Sequence, residues 1–149
     1  MSYLKRISDN VLAERLEAFG AVLIEGPKWC GKTTTAEQQA ASVIRLQDPD
    51  MSSEYIATAE SKPSLLLMGD TPRLIDEWQD IPVLWDAVRT MVDKRNSVGQ
   101  FILTGSNAVR KDKIKHTGTG RISRMKMLPM SLYAVSYTHL RAHETDSYL

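Results

Sequence analysis

Eight consecutive residues, Gly26-Pro27-Lys28-Trp29-Cys30-Gly31-Lys32-Thr33, fit the pattern G-x-x-x-x-G-K-[ST] at every fixed position. The chemistry this spacing allows is phosphate binding. Glycines let the backbone turn sharply, so that successive N–H groups converge on phosphate oxygens at the start of a helix. Lys32 would reach the β- and γ-phosphates of a nucleotide, and the Thr33 hydroxyl would ligate magnesium. The nucleotide-binding segment is therefore expected to run from Gly26 through Pro27, Lys28, Trp29, Cys30, Gly31, Lys32 and Thr33 to Thr34, with ATP and Mg²⁺ as its ligands. Trp29 and Cys30 occupy variable positions and read as spacers. Held in the loop, Trp29 is expected near the phosphates or the base, and alkylation of Cys30 is expected to block binding.

A second group lies further along the chain. Leu74-Ile75-Asp76-Glu77 is an apolar run that ends on adjacent carboxylates. Asp76 is suited to hold magnesium through a water, and Glu77 to polarise a water for attack on the γ-phosphate. Thr104-Gly105-Ser106-Asn107 follows another apolar run. Thr104, Ser106 and Asn107 are candidates to touch the attacking water or the γ-phosphate, and a helix N-cap is the competing reading for Asn107. Arg121 stands in a glycine-flanked turn. It is either a surface arginine or a cation lent to phosphate charge, in this chain or a neighbouring subunit. Lys111, Lys113, Lys115 and His116 read as a solvated face, with a nucleic-acid patch as the alternative.

These residues need a frame. Residues 7–19 place Ile7, Val11, Leu12, Leu16 and Phe19 at helical spacing, which predicts an amphipathic helix closed by Gly20 as a C-cap. Ala21-Val22-Leu23-Ile24 is a short continuous apolar run, as expected of a strand covered on both faces. A helix is predicted over about 32–42 and a strand over 43–46. Two short helices are predicted within 52–68, broken around Lys62-Pro63. A strand over 72–76, a helix over 83–95 with Leu84, Val88, Met91 and Val92 inward, and strands over 100–104 and 122–127 complete the pattern. Strands alternating with helices predict an α/β fold: a P-loop NTPase with a parallel sheet of about five strands and helices on both faces. Right-handed crossovers gather the strand ends that carry the unusual residues along one edge.

Composition adds bounds. A length of 149 residues, 42% hydrophobic and 25% charged, is that of one ordinary globular domain. Nineteen basic residues against 18 acidic ones demand no polyanionic partner. No apolar run approaches the roughly 20 residues that a bilayer crossing takes, and the N-terminus lacks a signal-peptide core. A single cysteine excludes an internal disulfide. A cytoplasmic protein without a membrane partner is expected.

With these motifs in place, the chain resembles a large prokaryotic family of AAA-type ATPases. Members are similar in carrying GP-x-x-CGKT, L-[IV]-DE-[IVW]-Q, F-[IL]-LTGS and G-[TA]-GR-[IV] in this order. Here they read Gly26 to Thr33, Leu74-Ile75-Asp76-Glu77-Trp78-Gln79, Phe101-Ile102-Leu103-Thr104-Gly105-Ser106 and Gly118-Thr119-Gly120-Arg121-Ile122. The resemblance covers residues 1–133, an AAA-like core, and includes Met127-Leu128-Pro129-Met130-Ser131-Leu132-Tyr133. It implies that Thr104 or Ser106 is the first sensor and that Arg121 lies close to the arginine-finger position. It also implies a homo-oligomer and a DNA or protein effector. Residues 134–149 depart from the family, which continues into a lid and a C-terminal domain. They resemble translated sequencing-adapter read-through and are expected to be a non-native tail. The leading expectation is slow ATP hydrolysis coupled to an effector domain. A small-molecule kinase and a nucleotide-dependent DNA- or protein-binding module without useful turnover are the alternatives.

Overall fold

The computed structural model describes residues 7–28, 30–106 and 121–128. Its chain order is α1 (Ile7–Ala18), β1 (Ala21–Glu25), α2 (Lys32–Glu37), β2 (Ser42–Arg45), α3 (Ser52–Ser61), a 3-10 helix (Pro63–Leu67), β3 (Arg73–Asp76), a second 3-10 helix (Trp78–Asp80), α4 (Val83–Arg95), β4 (Phe101–Gly105) and β5 (Ile122–Lys126). The five strands form one sheet in the order β2-β3-β4-β1-β5, and every neighbouring pair is parallel. The expected five-stranded α/β fold is what the chain adopts.

Alternation along the strands divides the core in two. Ala21, Leu23, Ile75, Phe101, Leu103 and Ile122 point to one face, where α3, the first 3-10 helix and α4 supply Ala59, Leu66, Leu67, Leu84, Trp85, Val88 and Val92. Val22, Ile24, Leu74, Ile102 and Met125 point to the other, against Val11, Leu12 and Leu16 of α1 and Ala36 of α2. Period-two alternation with both faces apolar is what makes β1 and β4 read as unbroken apolar runs. On the α4 face the rings of Trp78 and Trp85 stack at a tilt, with centroids 5.0 Å apart.

Local expectations change in four places. Helix α2 ends at Glu37 instead of running to Ser42, because the amides of Ala41 and Ser42 already donate to the Pro72 carbonyl. Strand β3 begins at Arg73, not Pro72, since proline has no N–H to give a ladder. Ile7 is 39% exposed, so the apolar part of the buried face of α1 starts at Val11, after the buried Ser8 and Asp9. Gly20 does not take the left-handed conformation of a C-cap. A Cβ there would stand 2.2 Å from Val92 Cγ1, so glycine is needed for the close approach of β1 to α4. Its carbonyl accepts from the amides of Gln100 and Phe101.

Trp29, Asn107, the basic cluster from Lys111 to His116, the Gly118–Gly120 turn and residues 129–149 lie outside the described residues. No helix among the described residues is long and apolar enough to cross a membrane.

Candidate functional site

The loop after β1 is wedged between the ends of its two neighbour strands. The Gly26 amide donates to the carbonyl of Gly105, the last residue of β4, and the Met127 amide donates to the Glu25 carbonyl. A Cβ on Gly26 would meet the Met127 carbonyl oxygen at 2.4 Å, so only glycine fits between the strands. Gly31 then turns the chain into α2 at φ 93°, ψ 19°, a left-handed conformation that glycine adopts without steric penalty. Between these glycines the Lys32 ammonium folds back over the loop. Its Nζ donates to the carbonyls of Gly26 and Pro27, each at 3.0 Å, and the residue is only 4% exposed.

The backbone ladder between β3 and β4 runs only as far as the Ile75–Leu103 pair. At the next position side chains take over. The Thr104 hydroxyl, fully buried, donates to Asp76 Oδ1 at 2.7 Å and accepts from the Glu77 amide at 3.0 Å. Thr33 Oγ1 also donates to Asp76 Oδ1, at 2.7 Å. Strand β4 lies between β1 and β3, so Thr104 stands where it can tie the acidic strand end to the phosphate-loop side. Arg45, paired with Glu37 at 2.9 Å, has its other guanidinium nitrogen 3.9 Å from Asp76 Oδ2. That arginine is half exposed, and solvent screening leaves the longer contact little weight.

Glu77 adopts φ 61°, ψ 54°, a left-handed conformation uncommon for a residue with a side chain. It turns the carboxylate back towards β4. There the Ser106 hydroxyl reaches Oε1 at 2.7 Å and Oε2 at 2.9 Å, and Gln79 Nε2 donates to Oε2 at 2.5 Å. Lys28, Gly31, Lys32, Thr33, Thr34, Gln47 and Glu77 line one cavity of about 400 Å³. Groups of the β1–α2 loop and both carboxylates thus converge at the carboxyl ends of the strands, where parallel strands joined by crossovers bring them.

An AAA domain family model matches residues 18–135. The chain belongs to the AAA domain family. It is accordingly a nucleotide-binding AAA module. Among solved structures, that of C. elegans PCH-2 is similar over 87% of this chain and 42% of its own, at 15% identity and a TM-score of 0.39. The chain therefore spans less than half the length of that protein. No curated protein matches.

Several residues of the AAA domain sit differently from expectation. Cys30 is 1% exposed and packs with Val22, Ile24 and Met127 beneath the loop. Its side chain anchors the loop to the core and does not face the cavity, so alkylation would disturb packing before it blocked a ligand. Thr104 reaches the two carboxylate residues and has no exposed surface to offer a γ-phosphate. Arg121 precedes β5, and its carbonyl accepts from the Ala21 amide at the start of β1. That is a full strand length from the loop, roughly 15 Å at about 3.3 Å per residue. Arg121 therefore cannot reach the β1–α2 loop of its own AAA domain. Its guanidinium pairs with Asp93, and both side chains are exposed. Sequence reasoning missed Gln47, which lines the cavity from beyond β2, and Gln79, whose contact with Glu77 depends on the left-handed turn. Nothing in the pattern signals the first. For the second, the only signal is its place in the DE-x-Q motif.

Proposed function

We propose that this AAA domain binds ATP with magnesium and hydrolyses it slowly, coupling nucleotide state to an effector. The observation that carries this reading is the 2.7 Å contact between Thr33 Oγ1 and Asp76 Oδ1, beside a cavity shared by Lys32 and Glu77. Both are hard oxygen donors, one from each end of the site. Mg²⁺ fits such a pair, because it takes one or two protein oxygens and completes its octahedron with water and phosphate. Bound there, the ion would neutralise charge developing on the phosphate oxygens.

The remaining work falls to the chain's own groups. Lys32 would exchange its bonds to the Gly26 and Pro27 carbonyls for phosphate oxygens, a stronger charge-assisted interaction. The loop from Gly26 to Thr34 would bring its backbone N–H groups to the phosphates. Thr104 would hold Asp76 and the Glu77 amide in register, and Glu77 would accept a proton from the attacking water. Ser106 would sense the nucleotide through Glu77. Arg121, just before the edge strand β5 at the far end of the sheet, would act only on a neighbouring subunit's nucleotide, which makes a homo-oligomer part of the proposal. A single cysteine held in the core is compatible with a reducing cytoplasm. The acceptor is taken as water, which Glu77 would polarise in the cavity that it shares with Lys32.

Titration with a fluorescent ATP analogue tests the site. Lys32→Ala is expected to weaken binding about 10–100-fold, the value of a charge-assisted contact. Lys32→Met, which keeps the buried stem, should do the same with less loss of stability. Wild-type affinity in either folded variant would remove the phosphate-loop assignment.

A further inference from the structure

Glu77 is the residue whose geometry the fold constrains most tightly. Its amide is held by Thr104, its backbone is left-handed, and its carboxylate takes hydrogen bonds from Ser106 and Gln79. Gln79 is the unexplained member. Its Nε2 lies 2.5 Å from Glu77 Oε2, while its Oε1 is buried and has no hydrogen-bond partner among the described residues. The amide cannot be turned round, because that would bring its carbonyl oxygen against a carboxylate oxygen. A buried acceptor without a partner is unfavourable, and native structures contain few. A leucine or methionine would fill the same volume and leave no orphan. The space is also made by a neighbour: a Cβ on Gly105 would stand 3.3 Å from Gln79 Oε1 and 3.2 Å from Trp78 Nε1. The amide is thus retained at the expense of one unsatisfied atom, and what it supplies in return is a donor to Glu77.

We propose that Gln79 is a positioning residue for Glu77, forming with Ser106 a two-sided clamp that fixes where the carboxylate points. The inference rests on the reading of Glu77 as the group that orients the attacking water. Ser106 approaches from the end of β4 and Gln79 from the second 3-10 helix, so the clamp also joins β3 to β4 beyond the last rung of their ladder. A carboxylate with one donor removed keeps its charge but loses its fixed direction. Loss of orientation reduces turnover and leaves nucleotide affinity alone.

Two readouts test this, and they fail separately. The first is urea unfolding of the chain without nucleotide. Gln79→Glu sets two carboxylates against each other and is expected to lower the folding equilibrium constant about tenfold to a hundredfold. The exchanged pair Glu77→Gln/Gln79→Glu returns donor to acceptor, since the amide at position 77 can accept from Ser106 and donate to the new carboxylate. Most of the loss should be recovered. A Gln79→Glu variant as stable as wild type, or an exchanged pair no more stable than the two single losses added together, overturns the clamp. The second readout is steady-state ATP hydrolysis. Gln79→Leu should lower kcat about 10–100-fold with KM within about twofold, as expected when a reacting group is displaced by around an ångström. An unchanged kcat, or a KM that rises in step with the fall in kcat, overturns the positioning role. No hydrolysis by wild type, or hydrolysis unaffected in Glu77→Gln, would overturn the proposed function and the positioning role with it, while the unfolding cycle still decides whether the clamp exists.

Discussion

Replacing Thr104 by valine removes one oxygen and keeps the shape of a fully buried side chain, so its effect can be worked from two hydrogen bonds. The bond to Asp76 Oδ1, 2.7 Å long, is made to a charged acceptor and is worth about 1.5–3 kcal/mol. Asp76 keeps the Thr33 donor, so its charge is not stranded and the lower end applies. The Glu77 amide loses its acceptor, which adds about 1–3 kcal/mol if no water replaces it. Against this, Glu77 is freed from a left-handed conformation that opposes folding by roughly 1–2 kcal/mol. The balance is a loss of about 2 kcal/mol. That is small enough for the domain to stay folded, given typical stabilities of about 5–15 kcal/mol. With a urea slope of about 2 kcal/mol/M, the unfolding midpoint should fall by roughly 1 M at unchanged slope. Thr104→Ser keeps the hydroxyl, loses one methyl and should fall by only about 1 kcal/mol. A Thr104→Val protein within about 0.5 kcal/mol of wild type would show that the hydroxyl does not tie β3 to β4, and would return Thr104 to the role of a nucleotide sensor.

Two further outcomes follow from the same geometry. Asp76→Asn removes the charge but keeps an oxygen within reach of Thr33 and Thr104, so it should weaken Mg-ATP binding about tenfold or more and leave metal-free ATP binding nearly unchanged; isothermal titration with and without magnesium distinguishes this from equal loss in both, which would remove Asp76 from the metal site. Gly20→Ala places a methyl 2.2 Å from Val92 Cγ1 and should destabilise by about 1–3 kcal/mol through overpacking. Thermal unfolding of Gly20→Ala in a Val92→Ala background should show a much smaller penalty, and an equal penalty in both backgrounds would refute the close approach.

Much of this was open to reading in the sequence because the signals are local. The pattern from Gly26 to Thr33 sits between an apolar run and a helix-forming run, and the structure has β1 and α2 in those places. Continuous apolar runs at Ala21–Ile24 and Phe101–Leu103 identify strands with two covered faces, and these are β1 and β4. Asp76 and Glu77 were candidates because the apolar run stops on them. What failed did so for physical reasons. Gly20 looked like a cap because it follows a helix, yet its need is the approach of Val92, which is distant in sequence. Cys30 looked like a loop residue, and its burial depends on Met127 arriving through β5. Of the readings open for Arg121, the parallel register of β1 with β5 removes only service to its own loop, because it puts the residue at the end of the sheet away from it.

The sequence by itself therefore determined the element types, the parallel sheet and the place of the glycine- and lysine-bearing turn between β1 and α2, since hydrophobic periodicity, glycine placement and a fixed lysine spacing act over a few residues. Only the tertiary structure decided which groups act on one another. The strand order inserts β4 between β1 and β3, and from that follow the placing of Thr104 against Asp76 and of Ser106 against Glu77, while the register of β1 with β5 sets the distance of Arg121 from the loop. Hydrogen bonds between residues 27 to 43 positions apart, such as Glu77 with Thr104 and Thr33 with Asp76, are set by the packing of strands. No local pattern encodes them, because a side chain's neighbours across a sheet depend on strand order and register.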